Sequence, residues 1–151
     1  MNQIKMSNIK IVAGTFLLLI LTLGAFAQTS NDQVSIIKQL VEHPDLAEYY
    51  TNNDGSIKQR YIIQYPYVFP NDVVTNLDAG VAIVVEQDNL PADADVWARF
   101  RGIGISETVA SGVMNLYQKL PGDDQVKALI IYFELQKVDD SWSVTNLNIR
   151  G

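Results

Sequence analysis

Residues 1–27 carry the pattern of a bacterial-type export signal, and that pattern decides how much chain is left to fold and where it folds. Lys5 and Lys10 form a positive n-region. The apolar run from Ile11 to Leu23 is broken only by Ala13, Gly14, Thr15 and Thr22, and Ala25-Phe26-Ala27 supplies a small-x-small cleavage pattern before Gln28. The run is about a dozen residues, short of the roughly 20 that span a bilayer. Cleavage is therefore expected in preference to the alternative, a permanent membrane anchor. A lipid anchor at the cleavage point needs a cysteine, and the chain has none.

Removing the leader from 151 residues leaves 124, expected to form a single α+β domain over 28–151. A chain of that length buries about two-thirds of its unfolded surface around one core. No Gly/Ser-rich or Pro-rich linker, fixed-period repeat or low-complexity tract divides it. The absence of cysteine excludes disulfides, thiolate metal sites and a cysteine nucleophile. All 17 acidic residues lie beyond the leader and two of the 11 basic ones lie within it, so the mature net charge is −8. Phosphate backbones and anionic membranes repel such a chain unless it has a segregated basic patch. The nine remaining basic residues are scattered, with only Arg99 and Arg101 close on one strand, so no nucleic-acid partner is expected.

Val34, Ile37, Leu40 and Val41 fall at helical spacing over residues 32–41, with Ser30, Asn31 and Asp32 as possible caps. His43-Pro44-Asp45 breaks that helix and starts a shorter one over 44–50, because proline suits a first helical position but not the residue before it. Thr51 to Ser56 is a turn by composition. Strands are expected over 57–69, with Tyr61, Ile63, Tyr65, Tyr67 and Phe69 on one face, over 80–86, buried on both sides, and over 96–105. Strands over 126–138 and 141–150 flank Asp139-Asp140 as a hairpin. Residues 107–120 fit a helix capped by Ser106 through Val109, Val113, Leu116, Tyr117 and Leu120, although alternation is tolerated too.

Helices first and strands after imply N-terminal helices packed on an antiparallel sheet. The helical pair, the strand meander and the closing hairpin Leu135-Gln136-Lys137-Val138-Asp139-Asp140-Ser141-Trp142-Ser143-Val144 resemble the nuclear transport factor two and cystatin-like α+β group. The resemblance is architectural and covers most of residues 32–150. It implies a curved sheet wrapped around a helix, leaving a conical pocket for small ligands and, in some members, for catalysis by an acid with a tyrosine or histidine. No residue here matches those catalytic positions, so none is carried over.

The chemical motifs are incomplete. Asn52, Asp54, Gly55 and Ile57 match the centre of a calcium loop, but the first and last ligand positions hold Tyr50 and Tyr61. Glu86, Asp88, Asp93 and Asp95 cluster around Pro91 and read as a solvated strand entry. His43 is the sole histidine, which excludes a multi-histidine zinc site and favours a helix-boundary role. Ser106 lacks the glycine two positions later that a nucleophile elbow needs, and Gly102 and Gly104 lack the rest of a phosphate loop. No metal, cofactor or catalytic residue is expected.

Tyr61, Tyr65, Tyr67 and Phe69 form the aromatic stripe read as candidate ligand-binding residues, since tyrosine offers a flat apolar face and a hydroxyl. Their alternative role is packing a sheet face against the first helix. Pro66, which has no ladder donor, places that strand at an edge or bulge. Three functions are open: an exported non-catalytic binding or accessory domain holding a small ligand or protein on the concave sheet face, a small pocket enzyme using Glu86 or Glu134 with a tyrosine, and an inhibitor acting by strand addition. The first is preferred because no catalytic constellation assembles; oligomeric state is open. Trp142 is expected to cover the end of the core beside the first helix. Mass spectrometry of the protein from its own cell is expected to place the N-terminus within a few residues of Gln28; an intact Met1 species in membranes contradicts the export reading.

Overall fold

Ile36, Ile37, Leu40 and Val41 recur at one to four residues, so a helix over them lays all four on one side, and all four are buried. That helix, α1, occupies residues 30–41 in the computed structural model, which describes residues 30–120, 122 and 125–151. The leader and its cleavage site lie outside the described residues. Among these residues no helix is long and apolar enough to cross a membrane.

The chain continues through α2 (Pro44–Tyr50), β1 (Tyr61–Ile63), α3 (Asn71–Asp78), β2 (Ile83–Val85), β3 (Val96–Ile105), β4 (Val109–Lys119), β5 (Val126–Val138) and β6 (Ser141–Arg150). His43 caps α2, its Nδ1 accepting the Asp45 backbone N–H at 3.3 Å, while Pro44 opens the first turn. Asp139 and Asp140 both take positive φ, 50° and 64°, the pair of left-handed residues that a tight two-residue hairpin requires. The class is α+β, with a six-stranded sheet in the order β2-β1-β3-β4-β5-β6.

The sheet is mixed, which corrects the expectation of an antiparallel one. β1 runs parallel to both β2 and β3, while β3 to β6 are antiparallel. The parallel pair arises because α3 carries the chain back between β1 and β2, as a parallel connection demands. Residues 107–120, read as a helix, are instead β4. Ala110, Met114 and Leu116 point inward and Val113 and Tyr117 outward, and pairing with β3 and β5 along nearly the whole length outweighs the local pattern.

The strand expected over 57–69 shortens to Tyr61–Ile63. Beyond it the chain folds over itself, with Gln64 Oε1 accepting the Phe69 backbone N–H at 2.9 Å. Pro66 follows a cis peptide in this loop, and β1 is an interior strand between β2 and β3 rather than an edge. β2 takes the edge, with Ile83 exposed, instead of being buried on both sides.

Alternation in the long strands produces two unlike faces. Leu129, Ile131, Phe133 and Leu135 of β5 point inward, where they join Val96, Ala98 and Phe100 of β3 and the buried residues of the three helices in one core. Trp142 closes that core at its end, 4% exposed. Its indole N–H donates to Asp32 Oδ1 of α1 at 3.0 Å, and the same oxygen receives Lys137 Nζ at 3.0 Å. Trp142→Ala is expected to destabilise the domain by about 3–5 kcal/mol, the range for deleting a buried aromatic; a chemical denaturation midpoint unchanged from the parent contradicts the anchoring role.

Candidate functional site

The other face of β3 to β6 has a different composition. Register sets Arg99 opposite Asn115, Asn115 opposite Ile130, and Ile130 opposite Arg150, so one row crosses four strands. In the neighbouring rows Trp97 faces Tyr117, and Val113 faces Tyr132, which faces Asn148. Ile130 and Tyr132 are 42% and 44% exposed, unusual for large apolar side chains in the middle of a sheet.

Two aromatic–arginine pairs bracket this face. Trp97 stacks on Tyr117 with ring centroids 5.7 Å apart and planes 11° from parallel, and the Arg99 guanidinium lies 5.7 Å from the Tyr117 centroid. Asn115 Nδ2 donates to the Tyr117 hydroxyl at 3.1 Å. At the far side the Arg150 guanidinium lies 5.2 Å from the Tyr132 centroid, and its Nε donates to Asn148 Oδ1 at 3.1 Å. Each guanidinium is attracted by the electron-rich ring face, which holds an otherwise mobile side chain flat on the sheet. Arg99 Nε is buried without a hydrogen-bond partner among the described residues.

Between the pairs the surface dips. Gly102 and Gly104 of β3 stand opposite Val113 and Ser111. The missing side chains leave a hollow of about 450 Å³ rimmed by Arg101. A second hollow of about 340 Å³, lined by Ser111, Tyr132, Glu134 and Asn146, adjoins it. The register shift between Phe100 and Gly102 leaves Arg101 unpaired at a bulge. Gly112 is tied to that bulge. A Cβ there meets the Gly102 carbonyl oxygen and comes within 2.7 Å of the Phe133 ring.

The four aromatics singled out from sequence do not form one site. Tyr61 stands in register with Trp97, and Tyr65 lies on the loop, 66% exposed. Tyr67 is half-buried; its hydroxyl accepts Gln33 Nε2 at 2.6 Å, and burial raises its pKa above the ordinary phenol value despite that bond. Phe69 is a core residue, edge-on to Tyr67 at 5.0 Å and to Phe100 at 5.7 Å. With Phe133 edge-on to Phe100 at 6.1 Å, these rings fill the covered side of the sheet, where the ligand was expected.

The remaining candidates resolve into structural roles. Ser106 Oγ closes the β3–β4 turn, donating to the Val109 carbonyl at 3.0 Å and accepting its N–H at 3.2 Å. Asp54 accepts both the Ser56 hydroxyl and its backbone N–H, which together hold its carboxyl below the usual carboxylate range. Glu86 is exposed ahead of a single turn of 3₁₀ helix that contains Asp88, and Asp93 and Asp95 are exposed as well. Among the described residues no three histidine, aspartate or glutamate side chains converge as metal ligands do. Glu134 is also exposed, open to water beside Tyr132 rather than enclosed with it. A separate polar cleft of about 740 Å³ includes Glu48, Asp95, Lys58 and Lys119, whose charges offset one another.

No family model, curated protein or solved structure matches the chain. The functional reading therefore rests on the uncovered face, most of which sequence reasoning passed over. Its signal was alternation: Trp97 and Arg99 share a parity in β3, as do Ile130, Tyr132 and Glu134 in β5. Gly112→Ala is expected to cost about 1–3 kcal/mol by overpacking against the bulge, whereas Gly104→Ala, whose Cβ meets only the Ser111 carbonyl at 3.8 Å, is expected to cost less. Equal losses in thermal unfolding contradict the close approach at Gly112.

Proposed function

We propose that the mature protein is an exported, non-catalytic binding domain that holds a ligand or partner against the uncovered face of β3 to β6. In this reading the chain is exported to the periplasm or beyond, and its sheet curves around α1 in the manner of the nuclear transport factor two and cystatin-like group. The observation that carries the reading is the retention of Ile130 and Tyr132 in the open, flanked by two guanidinium–aromatic pairs. Exposed apolar groups that adjoin one another and are rimmed by polar ones mark a surface that is covered in use. On the covered face Phe69, Phe100 and Phe133 are buried and pack edge-on against one another.

Catalysis is not part of the proposal, because Glu134 and Tyr132 line one hollow but are both exposed on the surface. A general acid or base needs a tuned environment and a positioned substrate. Oxidative surface labelling in intact native cells, compared with the purified protein, tests the reading. Tyr132 and Trp97 are expected to lose reactivity in the cell while Tyr65, on the loop, does not. Equal labelling of Tyr132 in both settings contradicts occupation of this face.

A further inference from the structure

Resting on the reading of the uncovered face as a binding surface, we propose that its occupant is an acidic carbohydrate, a saccharide chain carrying carboxylates. Charge is the first reason. Arg99 and Arg150 lie on this face and Arg101 rims its hollow, with the Glu134 carboxylate lining the adjoining one, in a chain whose net charge is −6. Three of the nine basic residues beyond the leader thus border one face of an acidic protein. That arrangement attracts an anion locally while the rest of the surface repels polyanions such as nucleic acid.

Spacing and shape give the second reason. Arg99 and Arg150 are separated by three strand intervals, about 14 Å from ordinary strand spacing. That distance calls for a chain with repeated anionic groups rather than one small anion. β3, β4 and β5 are paired on both sides, so the middle of this face, where the hollows lie, offers no free backbone ladder to an extended peptide; among the described residues the outer side of β6 has one. What it does offer is an exposed tyrosine ring beside a hollow edged by Ser111, Glu134 and Asn146. The C–H face of a pyranose packs on such a ring, and its hydroxyls pair with hydroxyl, carboxylate and amide groups. Arg99 Nε has no partner among the described residues, and a carboxylate above the face supplies one when the guanidinium turns off Tyr117.

Isothermal titration of the mature protein with an oligogalacturonate is the test, alongside a neutral glucose oligomer of equal length, a polyglutamate peptide and sedimentation of the protein alone. Oligogalacturonate is expected to bind, to weaken about tenfold in Arg150→Gln and to weaken again with added salt as the charges are screened. Tyr132→Ala is expected to weaken it as well, and circular dichroism of both variants is expected to match the parent. Equal binding of the neutral oligomer overturns the acidic requirement, and equal binding of polyglutamate overturns the carbohydrate in favour of an acidic peptide. A dimer that Arg150→Gln dissociates overturns it in favour of a second copy. Absence of oligogalacturonate binding with Tyr132 protected in cells overturns this inference alone; absence of both overturns the binding face itself.

Discussion

One carboxylate oxygen, Asp32 Oδ1, joins the first helix to the last hairpin. It accepts the Lys137 ammonium and the Trp142 indole N–H, each at 3.0 Å, across more than one hundred residues of chain. Lys137 and Trp142 are opposite each other in the β5–β6 ladder, and the Lys137 ammonium also lies 5.7 Å from the indole centroid. Asp32 and Lys137 are both largely shielded from solvent, so their attraction is less screened than that of a surface pair. The tie fixes α1 where Ile36, Ile37 and Leu40 meet the inward residues of the sheet. Alternation along the strands decides which face of β3 to β6 the helix covers, and the tie holds it there.

That decision divides the molecule chemically. The covered face is filled by interlocking Phe69, Phe100 and Phe133, and its packing is that of a core. The opposite face keeps Trp97, Tyr117 and Tyr132 with arginines laid over the tyrosines, and glycines in β3 lower the surface between them. The bulge at Arg101 requires the absence of a side chain at Gly112, so the shape of the exposed face is coupled to packing on the buried one.

How much of this was legible in the sequence depended on element length. β3, β5 and β6 stand at the residues expected, because each is a run of ten or more residues rich in β-branched and aromatic side chains and bounded by turn residues, with Asp139 and Asp140 supplying the left-handed turn. α2 was equally plain from Pro44. β4 misled because Val109, Val113 and Tyr117 suit a helical face, and only pairing on both sides reveals the strand. α3 went unread because Val73 and Val74 are β-branched and Asn71, Asp72, Asn76 and Asp78 look like a loop; its amphipathic character appears once Val73 and Leu77 are buried. The aromatic stripe does not lie along one strand face, because alternation assumed a continuous strand through Pro66, where the chain instead leaves β1 for a loop. The Arg–Tyr pairs needed cross-strand register, which one sequence does not contain.

Asp32 binds α1 to the closing hairpin through Trp142. A double-mutant cycle of Asp32→Ala and Trp142→Phe, read by chemical denaturation, measures that coupling directly, since phenylalanine keeps an aromatic ring but removes the indole donor. The prediction is that the double variant loses less stability than the sum of the single variants by about 0.5–3 kcal/mol, the range for residues in contact. Additive losses would show that Asp32 and the indole N–H do not stabilise one another and would contradict the tie from α1 to the hairpin through Trp142.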